Sequence, residues 1–344
     1  MFLGIEIGGT KLQFGVGDGD GTPMATLQRE RVDPKRGAEG IREQIRHCAG
    51  PLIERYGVSG IGIGFGGPVE SASGRIIKSH QVGGWDDFPM ADWARKTLGL
   101  PVVVGNDSDL AGLAEARFGA GRGHRIVVYN NIGSGIGGAL VINGQLYPGS
   151  CGIATEIGHL RPGLQSDRPD QTVESLASGW AIAAAAQARA SDPVSHRLGP
   201  FMAGDRPRGP ESVRQQLIER EEVDERWAAD LLERCEGHLE RLTTEALAKA
   251  AGEGNELARD VFLHACQTLG WALGQVITLL APNVLVIGGG VSLVGEELFL
   301  APLRQEVERY VFPPLLGTYH IVQAKLGEDV VVFGALANAA GKLP

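Results

Sequence analysis

Asp107 is the residue of this chain best placed to move a proton. It follows the apolar run Pro101-Val102-Val103-Val104 and closes the stretch Gly105-Asn106-Asp107. A carboxylate just beyond a buried strand, at the mouth of an α/β unit, is where a general base sits. The competing use is as a helix cap for residues 110–118, open equally to Ser108 and Asp109. Glycine turns supply a second chemistry, anion binding. One lies in Gly4-Ile5-Glu6-Ile7-Gly8-Gly9-Thr10-Lys11, another in Asn130-Asn131-Ile132-Gly133-Ser134-Gly135-Ile136-Gly137-Gly138. Each sits between apolar, β-branched runs, as a β-hairpin with a turn that glycine makes most easily. Bare backbone amides there can approach a phosphate closely. Two such hairpins in one chain suggest two sheets facing each other across a nucleotide. A third turn, Gly288-Gly289-Gly290, ends the apolar run Val284–Ile287 and would let a flat ring or a phosphate lie against the backbone.

The hairpins are not dinucleotide fingerprints, because a strand rather than a helix follows each turn. Neither is a Walker A loop. The elements that must hold them read as repeated α/β units. Residues 2–17 form a hairpin, 39–56 a helix with a break expected at Pro51, and 60–65 a buried strand ending at Gly66-Gly67-Pro68. Short elements follow at 91–98 (helix), 101–104 (strand) and 110–118 (helix), then a glycine joint at 119–123. The pattern restarts with a strand at 126–130. An alanine-rich helix spans 173–190, a proline-rich loop 191–210, a charged helical stretch 211–251, and a long apolar helix 255–280.

Bulk composition narrows the classes. The 344 residues suffice for two cored domains, and 43% hydrophobic with 21% charged residues is ordinary for a globular chain. Glycine, at 51 residues, is about twice its usual ~7%. A net charge of −9 without a basic cluster argues against a nucleic-acid surface. Cys48, Cys151, Cys235 and Cys266 are scattered, which fits buried thiols in a reducing cytoplasm. No leader or membrane-length apolar run is seen, so a cytoplasmic location and no membrane partner are expected.

With the three glycine turns and Asn106-Asp107 in this order, the chain resembles, from Gly4 to about Gly341, the ROK sugar kinases of the actin-like ATPase superfamily. The resemblance implies an α/β protein of two ribonuclease-H-like (actin-like ATPase) domains around a central cleft. Residues 1–118, completed by a C-terminal helix at 331–344, would form the first domain. Residues 119–330 would form the second, with a helical insertion at about 191–251. The two hairpins would bracket the ATP phosphates through Gly8, Gly9, Thr10, Lys11, Gly133, Ser134 and Gly135. Gly288, Gly289 and Gly290 would lie by the adenosine. Asp107 would be the catalytic base, with Gly66, Gly67, Asn106, Glu156, His159 and Glu174 lining the sugar site. Planar acceptors and an imidazole suit neighbouring hexose hydroxyls. Gln81 stands about where many relatives place a sugar-contacting Asn.

Two departures from the family pattern matter. Many relatives carry a cysteine-rich zinc loop after the Gly-His pair, but residues 160–173 here contain no cysteine, and His159 alone cannot supply four ligands. No zinc is therefore expected. Glu6 stands where the family usually has Asp as a holder of Mg²⁺, direct or through water, and one extra methylene alters that geometry. The resemblance implies an ATP- and Mg²⁺-dependent hexose kinase, with the 6-hydroxyl of glucose favoured as acceptor. N-acetylmannosamine, fructose or another hexose are the alternatives, and a homodimer is a family-level expectation. The rival of another class is a non-catalytic sugar sensor or regulator. The family's repressors carry a helix-turn-helix domain ahead of the first hairpin, which here begins at Gly4.

Overall fold

The computed structural model describes residues 1–79, 81–150, 152–163, 168, 170–191 and 225–343. Cys151, the middle of the cysteine-free loop, the proline-rich stretch 192–210 and residues 211–224 lie outside them.

Two five-stranded sheets carry the molecule. The first contains β1 (Phe2–Ile7), β2 (Lys11–Gly17), β3 (Thr26–Arg31), β4 (Gly60–Phe65) and β7 (Val102–Asn106), in the order β3-β2-β1-β4-β7. A small ribbon of β5 (Val69–Glu70) and β6 (Arg75–Ile76) stands beside it. The second contains β8 (Ile126–Ile132), β9 (Ile136–Ile142), β10 (Gln145–Leu146), β11 (Val284–Gly288) and β12 (His320–Gln323), in the order β10-β9-β8-β11-β12. The topologies match. Each sheet opens with an antiparallel meander, then adds two parallel strands beside its first strand. Both glycine turns are hairpin tips, closing Ile7 against Leu12 and Ile132 against Ile136.

Helices α1 (Gly37–Tyr56), α2 (Met90–Leu98), α3 (Asp107–Phe118), α4 (Val173–Ala177), α5 (Gly179–Ser191), α6 (225–234), α7 (Thr244–Gly252), α8 (Glu256–Leu280), α9 (Ala301–Tyr310) and α10 (Val330–Lys342) surround the sheets. Three expectations are corrected. α1 runs through Pro51 without a break, the proline being on its exposed side, where a lost hydrogen bond is met by water. α3 begins at Asp107 rather than 110, because Asn106 takes the cap role expected of Asp107, Ser108 or Asp109. The alanine-rich helix is two helices, divided at Ser178, whose extended backbone ends α4 and whose hydroxyl accepts from the Ala181 N–H at 3.2 Å.

α10 and α3 lie between the sheets, α10 against β1 and β4, and α3 against β8 and β9. Glycines let them come that near. A Cβ on Gly62 of β4 would lie 2.0 Å from the Ala335 carbonyl oxygen, and one on Gly334 would lie 2.0 Å from that of Leu110. The C-terminal helix is thus pressed backbone to backbone against the first sheet on one side and α3 on the other. Cys48, Cys235 and Cys266 are free, buried thiols. Among the described residues no helix is long and apolar enough to cross a membrane.

Candidate active site

The C-terminal end of β7 runs directly into α3, so Asn106 and Asp107 stand at a strand end and a helix start together. Asn106 Oδ1 accepts from the backbone N–H groups of Ser108 (2.9 Å) and Asp109 (3.2 Å), capping the helix. Its Nδ2 donates to the Gly67 carbonyl at 3.0 Å. One amide hydrogen remains for a ligand, less than the sequence reading assigned. Asp107 Oδ1 accepts from the Ser108 N–H at 2.7 Å. Its Oδ2 points to the turn after β4, where a Cβ on Gly66 would lie 3.4 Å from Oδ2, 3.5 Å from the Ile7 carbonyl oxygen and 4.0 Å from Gly8 Cα. On the other side, a Cβ on Gly137 would lie 2.3 Å from Ser108 Oγ. Asp107 Oδ2 thus faces the Gly66 turn, which lies beside Gly8 of the first hairpin, while its neighbour Ser108 packs on Gly137 of β9.

Burial pushes the Asp107 carboxyl up to about 6, against the pull of the Ser108 N–H, and the charge of Glu6 adds to the rise. Sequence reading treated Asp109 only as a cap, yet its carboxyl joins the same cluster. Burial, then Glu156 and Asp107, push it up to about 7. Glu156 is raised as well, first by desolvation, with His159 pulling it down and Glu174 pushing it up. Glu156 and His159 bracket a single helical turn at Ile157–His159 and are both exposed. Glu174, in the first turn of α4, reaches back to the second hairpin, where its Oε2 accepts from the Ile136 N–H at 2.7 Å. A Cβ on Gly135 would sit 2.7 Å from the same oxygen. Glu174 thus ties the acceptor cluster to the phosphate hairpin.

Glu6 is buried, and both of its oxygens are engaged. Gln13 Nε2 donates to Oε2 at 2.6 Å, and Lys11 Nζ lies 3.3 Å from Oε1. Burial raises its carboxyl, Lys11 and Gln13 pull it back, and Asp329 adds to the rise. Lys11 also donates to the Glu328 carbonyl at 3.3 Å, so its ammonium is a partner of Glu6 rather than a free hairpin cation. Gln13 was missed by sequence reading; a fully buried amide in an apolar strand was its only sign. Gln81 is exposed, and its amide lies over the first hairpin, with Oε1 1.9 Å from where a Cβ on Gly9 would be.

The glycines act by letting other groups come close more than by turn geometry. Gly8, Gly9, Gly133 and Gly135 do not adopt the left-handed region. Gly289 does (φ 83°), and a Cβ there would meet the Ile132 carbonyl oxygen at 2.4 Å. The third turn thus folds over the second hairpin and continues as a 3₁₀ segment at Gly290–Val294, rather than an α-helix. Gly133, Ser134 and Gly290 line one cavity of about 970 Å³, together with Trp180, Leu293 and Glu328. Trp180 and Leu293 are 67% and 73% exposed, unusual for large apolar side chains flanking one opening. Gly8 to Lys11 are not among its lining residues; the first hairpin reaches it through Glu328, whose carbonyl accepts from Lys11 and Gln13.

The sequence profile of the ROK family matches residues 2–342. The chain belongs to the ROK family. This ROK chain is 28% identical over 333 residues to a glucokinase of Thermotoga maritima, covering 97% of this chain and 95% of the relative. It is 28% identical to a glucokinase of Streptomyces coelicolor, covering 97% and 96%. Among solved structures it resembles a ROK family glucokinase from Streptomyces griseus in complex with glucose and AMPPNP, with a TM-score of 0.75, 28% identity and 97% of each chain covered. The ROK chain therefore has the two-domain actin-like ATPase fold. Among its described residues no group of three or more His, Cys, Asp or Glu could hold a metal ion.

Proposed function

We propose that this ROK chain is an ATP-dependent hexose kinase, with glucose the favoured acceptor. The observation that carries the reading is the place of Asp107 at the strand-to-helix junction, its Oδ1 held by the Ser108 N–H and its Oδ2 turned to the Gly66 turn beside the first glycine hairpin, with no donor from another described residue. Asp107 Oδ2 takes the proton of the sugar 6-hydroxyl as that oxygen attacks the γ-phosphorus in line, and the bond from that phosphorus to the β,γ-bridging oxygen breaks to release ADP. The Gly8 and Gly133 amides close their own turns on the Lys11 and Gly135 carbonyls, so the amides of Gly9, Thr10, Ser134 and Gly135 are the ones to face the spreading phosphate charge. The remaining Asn106 N–H, the Gly66–Gly67 backbone and the cluster of Glu156, His159 and Glu174 orient the sugar. Asp109 faces the same cluster and joins this set. Glu6 would hold Mg²⁺, directly or through water, and the ion would neutralise phosphate charge when bound. Lys11, now paired with Glu6, would be the cation nearest the phosphates.

The cavity beside Gly288–Gly290 takes the nucleoside, with Trp180 against the face of the base. Base–aromatic stacking is worth ~1–3 kcal/mol. Trp180→Ala should therefore raise the KM for ATP roughly tenfold and leave that for the sugar unchanged. A linked ADP-release assay over neutral hexoses and N-acetylated amino sugars, with Mg²⁺, tests the whole reading. Release with glucose above all others is expected. One feature favours the non-catalytic sensor instead: both Glu6 oxygens are already engaged. Sugar binding without ADP release would establish that alternative.

A further inference from the structure

Glu115 is a fully buried carboxylate in the last turn of α3, on an otherwise apolar stretch, and no step above uses it. Its partners are backbone amides from two distant parts of the chain. Oε2 accepts from the Ala120 N–H at 2.7 Å. Oε1 accepts from the N–H groups of Lys325 (2.8 Å) and Leu326 (2.7 Å). The Glu115 backbone carbonyl takes the N–H groups on either side of Ala120, those of Gly119 at 3.1 Å and Gly121 at 3.0 Å. Room is made by Gly119, where a Cβ would lie 2.0 Å from Oε2.

These amides belong to the two segments that connect the sheets. The first leaves α3 and enters β8 of the second sheet. The second leaves β12 and enters α10, which lies on the first sheet. Its anchors can be followed residue by residue. The Ala324 N–H donates to Ile287 in the second sheet, and the Glu328 carbonyl accepts from Lys11 and Gln13 in the first. Between them, Lys325 and Leu326 are held by Glu115 alone of the described side chains. Hydrogen bonds to a charged acceptor are roughly twice as strong as neutral ones, and in the dry interior they cannot be exchanged for water.

We infer that Glu115 is a positioning residue, a clasp that pins both inter-sheet connections at one point and so makes that point the pivot about which the cleft closes. Closure then swings the hairpins together at the Asp107 end while the Glu115 end stays fixed.

Glu115→Gln keeps the volume but can serve only one set of amides, since its NH₂ end faces the N–H of the other. Gly119→Ala displaces the carboxylate without altering it. In both variants kcat should fall tenfold or more with little change in the KM for ATP. ADP release without sugar should rise as a fraction of kcat, because a loose pivot admits water. Compaction on adding glucose and AMPPNP, read by small-angle X-ray scattering, should shrink. Variants that lose thermal stability but keep the wild-type leak ratio and compaction would overturn the assignment. Hydrogen exchange on the wild type needs no variant. The amides of 120, 325 and 326 should be protected with and without ligands, while those of 122–124 and 327–329 change. Rapid exchange at 120, 325 and 326 would equally overturn it. The kinetic and compaction readouts rest on the kinase reading; the ligand-free exchange does not. A wild type that releases no ADP whichever sugar is added would sink that reading, while ligand-free exchange at these three amides would still decide the clasp.

Discussion

Asp107→Asn is expected to lower sugar-dependent ADP release by about 10²–10⁴-fold, the usual worth of a positioned base, while sugar affinity stays within a fewfold of wild type. The asparagine keeps the shape and still accepts from the Ser108 N–H, but cannot take a proton. Calorimetric titration with the sugar beside the kinase assay separates the two effects. The same carboxyl sets a pH dependence. With its pKa raised to about 6, it is protonated and idle below that value. In the sugar-free enzyme kcat/KM should rise with pH through about 6, tenfold per unit on the acid side, and Asp107→Asn should lose that limb. Stability runs the other way. A carboxyl raised on folding favours the native state most below its unfolded value near 3.8, and that contribution is lost as pH rises through about 6. Removing the charge should therefore leave the melting temperature at pH 7 equal to or above wild type. A sharp fall would show that Asp107 serves the fold.

Gly62→Val should cost about 3 kcal/mol or more, seen as a steep fall in melting temperature or insoluble expression. The added methyls would be driven onto the Ala335 carbonyl, a backbone atom with no rotamer through which to yield. Since α10 also meets α3 through Gly334, displacing it disturbs both sheets. Gly50→Ala is the control of opposite sign. It lies inside α1 with nothing within 4 Å of the new methyl and should stabilise by about 0.5–1 kcal/mol. Equal effects of the two substitutions would refute the packing account.

The parts of the site legible in the sequence are those whose chemistry is local. A glycine turn between β-branched runs announces a hairpin, and Asp after Val-Val-Val-Gly-Asn announces a strand end. What escaped depends on partners far along the chain. Glu115 looked like one helical residue among others, because its clients lie at 120 and again some 210 positions away. A lone carboxylate within Leu110-Ala-Gly-Leu-Ala-Glu-Ala was its only trace. Trp180 was hidden in an alanine-rich helix whose periodicity marked the buried face, not the exposed one. The capping role of Asn106 escaped as well, because only the folded chain brings the Ser108 and Asp109 amides to its Oδ1. Gly62, Gly64 and Gly334 lie inside a strand and a helix, where only the element packed against each shows why no side chain fits.

α3 carries Asp107 at its first residue and Glu115 at its ninth. Eight residues of helix make a rigid arm of about 12 Å. On such a lever, a swing of roughly 5° carries Asp107 by about 1 Å relative to a partner anchored beyond the pivot. A displacement of that size can cost a reaction about a hundredfold. Angular play at a point remote from every substrate would thus set a tolerance on catalysis, much as bearing wear limits a lathe. Selection for rate would then act on a glutamate that never touches the sugar.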